Sequence, residues 1–555
     1  MLSLLEATKS LHHTLVINCK TSYDFMINSL LCYLKTLYMK KNTKNFLFLY
    51  LFIAILGSVV VSSCKKDKSN PTPTPTTPKA LSDADSLKYL MYRIMQVSFV
   101  DNGRDSTYDL PTYYWYTSIP KLDPLSSNYD SADVLLANMK TYAINPTTGK
   151  PYDKYSFLDH GQVQGEIQQG VAGDLGMQVT YARDNSNNIS LYVLFTDKNS
   201  PSGLVGVTRG WQITAINGGT VAYDGNNGPN VNKVINAVYN DPSASFTFKK
   251  PDGSSATYTL AKAVYNINPV LFDSVYTVGG KKVGYFVFNT FSAVYNNNGP
   301  TFTKSELDRV FGKFQSAGIT DLIVDLRYNG GGSVGTTEYM DSLIAPASVA
   351  GKEMYHYLYN DKLTANESNI GLDSKVLFNG GGSLNLDHVF FIGTGNTASA
   401  SELTINNLKP YMDVKLVGDT TYGKPVGFFT FHITDFPNGG TTEKDLADLY
   451  AINFETRNAN NEGGYFNGMI PDAPAADYVD LPWGSANDDN LVKIFKYIST
   501  GAFARVSVSE RMSIENNLRL SIPSTIHPLR FNGMVDYRIS NQMKGVINKS
   551  LRRAH

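Results

Sequence analysis

The sequence predicts an α/β fold, and three observations carry that expectation. A strand, helix, strand pattern runs through Lys281–Phe288, a helix opened near Thr303 and the buried strand Ile319–Leu326. The pattern returns at Val389–Ile392, Ser401–Leu408 and Val414–Val417, as a sheet with crossover helices requires. Each unit also carries a turn of small residues: Asp325-Leu326-Arg327-Tyr328-Asn329-Gly330-Gly331-Gly332 in the first, Thr397-Ala398-Ser399-Ala400-Ser401-Glu402 in the second.

At 555 residues the chain has room for roughly three or four domains. A hydrophobic fraction of 42% supports ordinary cores, and an aromatic fraction of 12% argues against disorder. Formal net charge is zero; six Lys/Arg against two Asp/Glu in residues 1–63 leave the remainder at −4, so no nucleic-acid partner is expected. Cys19, Cys32 and Cys64 are the only cysteines. Beyond them there is no disulfide, thiol nucleophile or cysteine metal site.

Residues 1–38 read as an upstream extension. From Met39 a basic start leads into an apolar run, Phe46–Val61, and then Ser62-Ser63-Cys64. This describes a secretory signal over 39–63; a plain membrane-spanning anchor is the other reading, because the run nearly spans a bilayer. Val61-Ser62-Ser63-Cys64 resembles the bacterial lipobox, which implies cleavage before Cys64 and lipid attachment to it. Acyl chains contribute about 0.8 kcal/mol per buried methylene, so a multiply acylated Cys64 would hold the protein on a membrane of the cell envelope, with the outer membrane expected. The linker 64–80 contains the proline-threonine stretch Asn70–Pro78, an extended stalk at about 3.1 Å per residue.

Residues 81–165 predict a small helical domain, with Leu87, Leu90, Met91 and Ile94 on one helix face. The aromatic cluster Asp109–Tyr116 reads as packing rather than ligand binding. Residues 166–265 change to short strands: Met177–Tyr181, Ile189–Phe195, the stretch Gly210–Gly218 and a hairpin over Phe246–Leu260, with a short helix carrying Val231, Val234, Ile235 and Val238. This module resembles a PDZ domain. The resemblance implies that Gly173, Asp174, Leu175 and Gly176 offer backbone N–H groups to a peptide carboxylate, while the peptide adds as a strand beside Met177–Tyr181. Asp174 departs from the commoner apolar loop, and a module that only packs against its neighbour is the alternative. Residues 266–503 then hold the α/β repeats, and their last helix carries Leu491, Ile494, Phe495 and Ile498. Residues 505–555 carry nine Lys/Arg and three Asp/Glu without sustained periodicity, so 504–555 is expected to be a disordered basic tail.

The chemistry centres on Ser399. Ser399-x-x-Glu402 is a capping-box pattern, so an N-cap is the plain reading of the serine. A helix start is also a good platform for a nucleophile, because unpaired N–H groups favour developing negative charge. His388 and His432 sit in no recognisable triad context. Lys424, 25 positions on in Tyr422-Gly423-Lys424-Pro425, can act as base if burial depresses its pKa. Bringing a lysine from about 10.4 to near 7 takes about 4 kcal/mol against its charged form. The glycine run after Asp325 lacks the Lys-Ser/Thr of a nucleotide loop.

Asp325–Gly332, Thr397–Glu402, Gly423-Lys424, Val283–Phe288 and Gly468–Asp472 together resemble the C-terminal processing (tail-specific) peptidases of family S41, Ser-Lys enzymes that carry a PDZ domain. The 25-residue spacing is also that of the family, and the likeness covers about 85–500. It implies a crotonase-like spiral of ββα units with the PDZ domain at the active-site entrance. It further implies Ser399 as nucleophile, Lys424 as base, an oxyanion held by the N–H groups of Ala400 and Gly331, polypeptide substrates or their C-termini, and no metal or organic cofactor. Many members carry Asp eleven residues after the serine or Gln four after the lysine; here those positions are Pro410 and Phe428. What orients the lysine is thus left open, with Glu402 and Tyr422 as candidates. A non-catalytic peptide-binding scaffold and an acyl-handling crotonase-type enzyme are the competing readings.

Overall fold

The computed structural model describes residues 81–96, 110–184, 186–435, 444–503 and 533–537. The expected extension, signal segment, Cys64 and linker lie outside them. Among the described residues no helix is long and apolar enough to cross a membrane.

The chain begins with α1 (Asp83–Gln96) and α2 (Ala132–Lys140), the latter capped by Ser131. Leu90, Met91, Ile94, Leu135 and Met139 turn inward, as the periodicity predicts. They do not build a separate helical domain. Their apolar faces join one continuous core with residues far along the chain, including Phe286, Leu307 and Phe428. The aromatic cluster is part of that joint: Tyr113 is fully buried, and Tyr114 N–H donates to Ile452 O at 2.8 Å. Strand β1 (Phe157–Asp159) continues the attachment by adding to a later strand.

A second, β-rich region follows. Strands β2 (Met177–Arg183), β3 (Ile189–Thr196) and β4 (Gln212–Ile216) precede a short helix α3 (Pro229–Ile235), then β5 (Ser243–Lys249) and β6 (Ser255–Ala261). The sheet order is β2-β3-β4-β5-β6, all antiparallel, which leaves β2 at one edge. Met177, Val179 and Tyr181 enter this region's own core with Val231, Val234 and Phe246. Ala182 on the opposite face joins the next core, with Leu271 and Tyr285.

The α/β part has two sheets. Strand β7 (Val270–Val278) pairs antiparallel with β8 (Lys281–Phe288); α4 (Phe302–Ala317) then crosses over to β9 (Asp321–Asp325). After β9 come β10 (Gly331–Ser333), α5 (Val334–Ile344), β11 (Glu353–Tyr359) and β12 (Lys375–Leu377). Next are β13 (His388–Gly393), α6 (Ala400–Leu408), β14 (Asp413–Gly418), and the long hairpin β15 (Val426–Asp435) and β16 (Lys444–Asn458). Strand β17 (Ala473–Pro474), α7 (Asp489–Thr500) and β18 (Gly533–Val535) end the described chain.

The first sheet runs β7-β8-β9-β13-β14-β17, parallel from β8 onward. Both its faces are covered. Val283, Tyr285 and Val287 face α7 residues Leu491 and Ile494, while Phe286 and Phe288 face α4 residues Leu307, Phe311 and Phe314. Alternate burial on two faces is what makes these strands nearly continuous apolar runs. The second sheet runs β10-β18-β15-β16-β11-β12, with β1 on β16.

Strand β18 corrects one expectation. Residues 533–535 of the supposed disordered tail form a strand between β10 and β15, with Met534 and Val535 fully buried. Its own sequence, Gly-Met-Val, was too short to register as a periodic segment.

Candidate active site

Ser399 stands where β13 has ended and α6 begins, and its backbone is unusual. Its φ is +59° and ψ −107°, a region that non-glycine residues rarely occupy. Such a conformation costs about 1–3 kcal/mol and persists only when the surroundings over-determine it. Here Ala398 N–H and Ser401 Oγ both donate to Asn329 O, at 3.1 and 3.0 Å, and Leu403 N–H donates to Ser399 O at 2.7 Å. The serine faces Glu402 in capping-box fashion, yet its Oγ has no hydrogen bond of ordinary geometry although fully buried. The hydroxyl proton itself has no acceptor among the described residues.

Glu402 ties the serine to the lysine. Its Oε2 accepts the N–H of Ser399 and the N–H of Lys424, each at 2.8 Å. Oε1 accepts the Gly423 N–H at 2.7 Å and the Thr421 hydroxyl at 2.5 Å. One oxygen atom therefore holds the two backbones side by side. Burial pushes the Glu402 carboxyl up from its ordinary value, and the donors around it pull the other way. Four donors on one carboxylate, three of them backbone N–H groups that can only donate, are what the ionised form accepts.

Lys424 is completely buried. Its Nζ lies 4.1 Å from the centre of the Phe428 ring and 5.0 Å from that of Tyr155. Burial drives its pKa well below the ordinary lysine value; Asp153 and Glu402 pull it up, and Lys140 and Lys154 push it down. Phe428, four positions after the lysine, packs its ring on the amine. Pro410 lies just past the end of α6, and no contact of it reaches the lysine among those described.

The glycine turn has a different part from the one expected. Gly331 N–H donates to Asn329 Oδ1 at 2.9 Å, so it is not open to an oxyanion, and that assignment is corrected. What Gly331 supplies is space: with φ +108°, a Cβ there would stand 2.9 Å from Ala400 N and 2.3 Å from Gly533 O. Ala400 opens α6, and the first N–H groups of a helix have no intrahelical acceptor. Its N–H is a donor at the helix start directly after Ser399.

The sequence of residues 81–165 shows no catalytic motif. The structure brings Asp153, Lys154 and Tyr155 to the lysine. Tyr155 OH donates to Gly423 O at 2.6 Å, and Lys154 Nζ lies 4.3 Å from the Tyr422 ring centre. A cavity of about 460 Å³ is lined by Lys154, Tyr155, Tyr422 and Phe466. The stretch Tyr152-Asp153-Lys154-Tyr155 lies outside every motif, and only long-range packing reveals its place. The histidines stay apart: His388 Nδ1 meets Asp321 at 2.7 Å, at the opposite end of the sheet from Ser399, and His432 Nδ1 meets Asp448 at 2.6 Å.

Of the loop Gly173, Asp174, Leu175 and Gly176, the Gly176 N–H is taken by Asp174 Oδ1 at 2.7 Å, which Tyr265 OH also reaches at 2.7 Å. Leu175 is buried in the β-rich core. Close by, Arg209 is buried between this region and the α/β part: it donates to Leu194 O at 3.0 Å, Tyr328 OH at 2.9 Å and Asp477 at 2.8 Å.

Residues 282–472 match the family model of peptidase family S41. Among solved structures the chain is similar to a candidate S41 protease from Bacteroides fragilis, at 21% identity over 79% of this chain and 100% of that one, with a TM-score of 0.54. It is more remotely similar to a photosystem II D1 C-terminal processing protease, at 16% identity over 77% and 100% of the two chains, with a TM-score of 0.38. No curated protein sequence matches it.

Proposed function

With residues 282–472 belonging to peptidase family S41, we propose that the protein is a serine endopeptidase in which Ser399 is the nucleophile and Lys424 the general base. One observation carries this reading: a single Glu402 oxygen holds the backbones of a strained serine and a fully buried lysine. Burial favours the neutral form of Lys424, and in that form its amine takes the Ser399 proton as Oγ attacks a peptide carbonyl. The tetrahedral oxyanion is held by the Ala400 N–H at the helix start. Lysine then passes its proton to the leaving amine, and water hydrolyses the ester to regenerate the serine. Glu402 is a positioning residue; it touches neither substrate nor reacting atoms.

The region 166–265 serves as a PDZ domain that captures polypeptides or their C-termini along the free edge of β2, with Asp174 giving way to the incoming carboxylate. Cys64 carries lipid, which anchors the enzyme to the cell envelope with its catalytic part outside the cytoplasm. Ser399→Ala is expected to abolish cleavage of an unfolded polypeptide while leaving the thermal midpoint unchanged, and Lys424→Ala to lose activity equally. Full activity in either variant would sink the assignment. The full burial of Ser399 and Lys424 favours one competing reading, a peptide-binding scaffold without catalysis. A serine-directed probe that labels the wild type but not Ser399→Ala decides against it.

A further inference from the structure

Strand β18 occupies a position that the chemistry assigns to something else. It lies in the second sheet between β10, the glycine strand, and β15, the strand into which Lys424 leads. Gly533 N–H donates to Gly330 O at 3.0 Å, and Asp536 N–H donates to Phe428 O at 3.1 Å. Gly533 O and Ala400 N both lie within 3 Å of the point where a Gly331 Cβ would stand. The tail backbone therefore passes directly beside the candidate oxyanion donor. Further along, Val535 pairs with Phe428, whose ring packs on Lys424.

Without β18, β10 and β15 would face each other across a gap of two strand spacings, roughly 10 Å. Both facing edges would then have unpaired N–H and C=O groups, a template for another extended chain. The gap is also shaped for side chains. A Cβ on Gly427 would stand 2.5 Å from Met534 Cγ and 2.4 Å from the Phe454 ring, so glycine there makes room for a bulky apolar residue. Asp536 accepts from Tyr357 OH, and with Tyr537 it borders a cavity of about 660 Å³ that reaches Ser333 and Glu338. With β18 in place, Ser399 and Lys424 have no exposed surface.

We propose that the slot between Gly331–Ser333 and Phe428 is the site where a polypeptide substrate adds as a strand, and that Gly533–Val535 is its built-in occupant, which the substrate must displace. This rests on the peptidase reading above. Main-chain pairing makes the slot tolerant of sequence, with preference for a small residue beside Gly331 and an apolar one beside Gly427. An occupant on the same chain competes at millimolar effective concentration, which lowers apparent substrate affinity by the fraction of molecules with the slot open.

The test uses the full chain carrying Ser399→Ala and a dye-labelled, carboxymethylated unfolded polypeptide as probe. A free peptide of residues 531–537 is expected to compete with the probe, and probe binding is expected to speed hydrogen exchange at the amides of 533–537. Adding Met534→Glu, which expels the strand, is expected to tighten probe binding at least about tenfold. Absence of competition, or unchanged exchange at 533–537 while the probe is bound, overturns the proposal. Should Met534→Glu fail to fold, competition and exchange on the parent decide alone. The two readings fail separately: a wild type inert towards every polypeptide, with competition intact, removes the peptidase and keeps the slot. An active wild type without competition removes the slot only.

Discussion

Replacing Glu402 by Gln probes the link between serine and lysine with the smallest change in shape. The carboxylate accepts four hydrogen bonds, three of them from backbone N–H groups. An amide keeps one acceptor oxygen. Its best orientation points that oxygen at Ser399 and Lys424 and turns its NH2 towards Thr421, whose hydroxyl can accept, and Gly423, whose N–H cannot. One buried N–H loses its partner, at about 1–3 kcal/mol, and the retained bonds lose their charge assistance, at about 1 kcal/mol each. The sum is about 3–6 kcal/mol, read as a lower urea midpoint. Displacement of Ser399 by about 1 Å is expected to lower kcat on the order of a hundredfold. The pH profile separates positioning from mere stability. The Glu402 charge raises the Lys424 pKa; without it the pKa falls further. Activity needs neutral lysine, so the acid limb of kcat must move to lower pH in Glu402→Gln. An unmoved acid limb with an unchanged kcat in the folded fraction would refute the clamp.

Three further outcomes follow from the same geometry. Because the folded pKa of Lys424 lies below its unfolded value of about 10.4, the unfolded chain binds the extra proton between the two values, and stability rises with pH across that window at about 1.4 kcal/mol per unit. Lys424→Met should abolish that rise in denaturation curves taken from neutral to alkaline pH, and should destroy activity. Asp174→Ala frees the Gly176 N–H and should tighten binding of peptides with a free C-terminal carboxylate, on the order of 1–2 kcal/mol by calorimetry, while amidated peptides bind as before. Arg209→Ala removes a buried guanidinium from Asp477, Tyr328 and three carbonyls, so stability should fall by about 3–5 kcal/mol, seen as a lower thermal midpoint.

What the sequence made legible was whatever local pattern controls. The helix opened near Thr303 is α4, and the buried strand expected at Ile319–Leu326 is the inner strand β9. The serine, the lysine and Glu402 were visible because α6 and the Gly423 turn are each defined within a few residues. The long-range features were not. Tyr155 reaches Gly423 only because β1 adds to β16, a pairing that joins residues nearly three hundred positions apart. The expected helical domain dissolved for the same reason: α1 and α2 show a proper amphipathic pattern, but nothing in that pattern says whose core receives it.

The two misjudged pieces, Gly331 and the tail, belong together. Glycine next to a nucleophile suggests a donor, because the missing Cβ lets a ligand approach an N–H. Here the N–H goes to Asn329, and the missing Cβ admits the carbonyl of Gly533. The space that glycine leaves at the site is thus already filled by the chain's own end. A composition of scattered arginines around Gly-Met-Val gives no hint of this, since a three-residue strand has no period to read and its stability comes wholly from the two edges it joins. The glycine turn and the tail strand are consequently one device, and neither could be interpreted from its own sequence without the other.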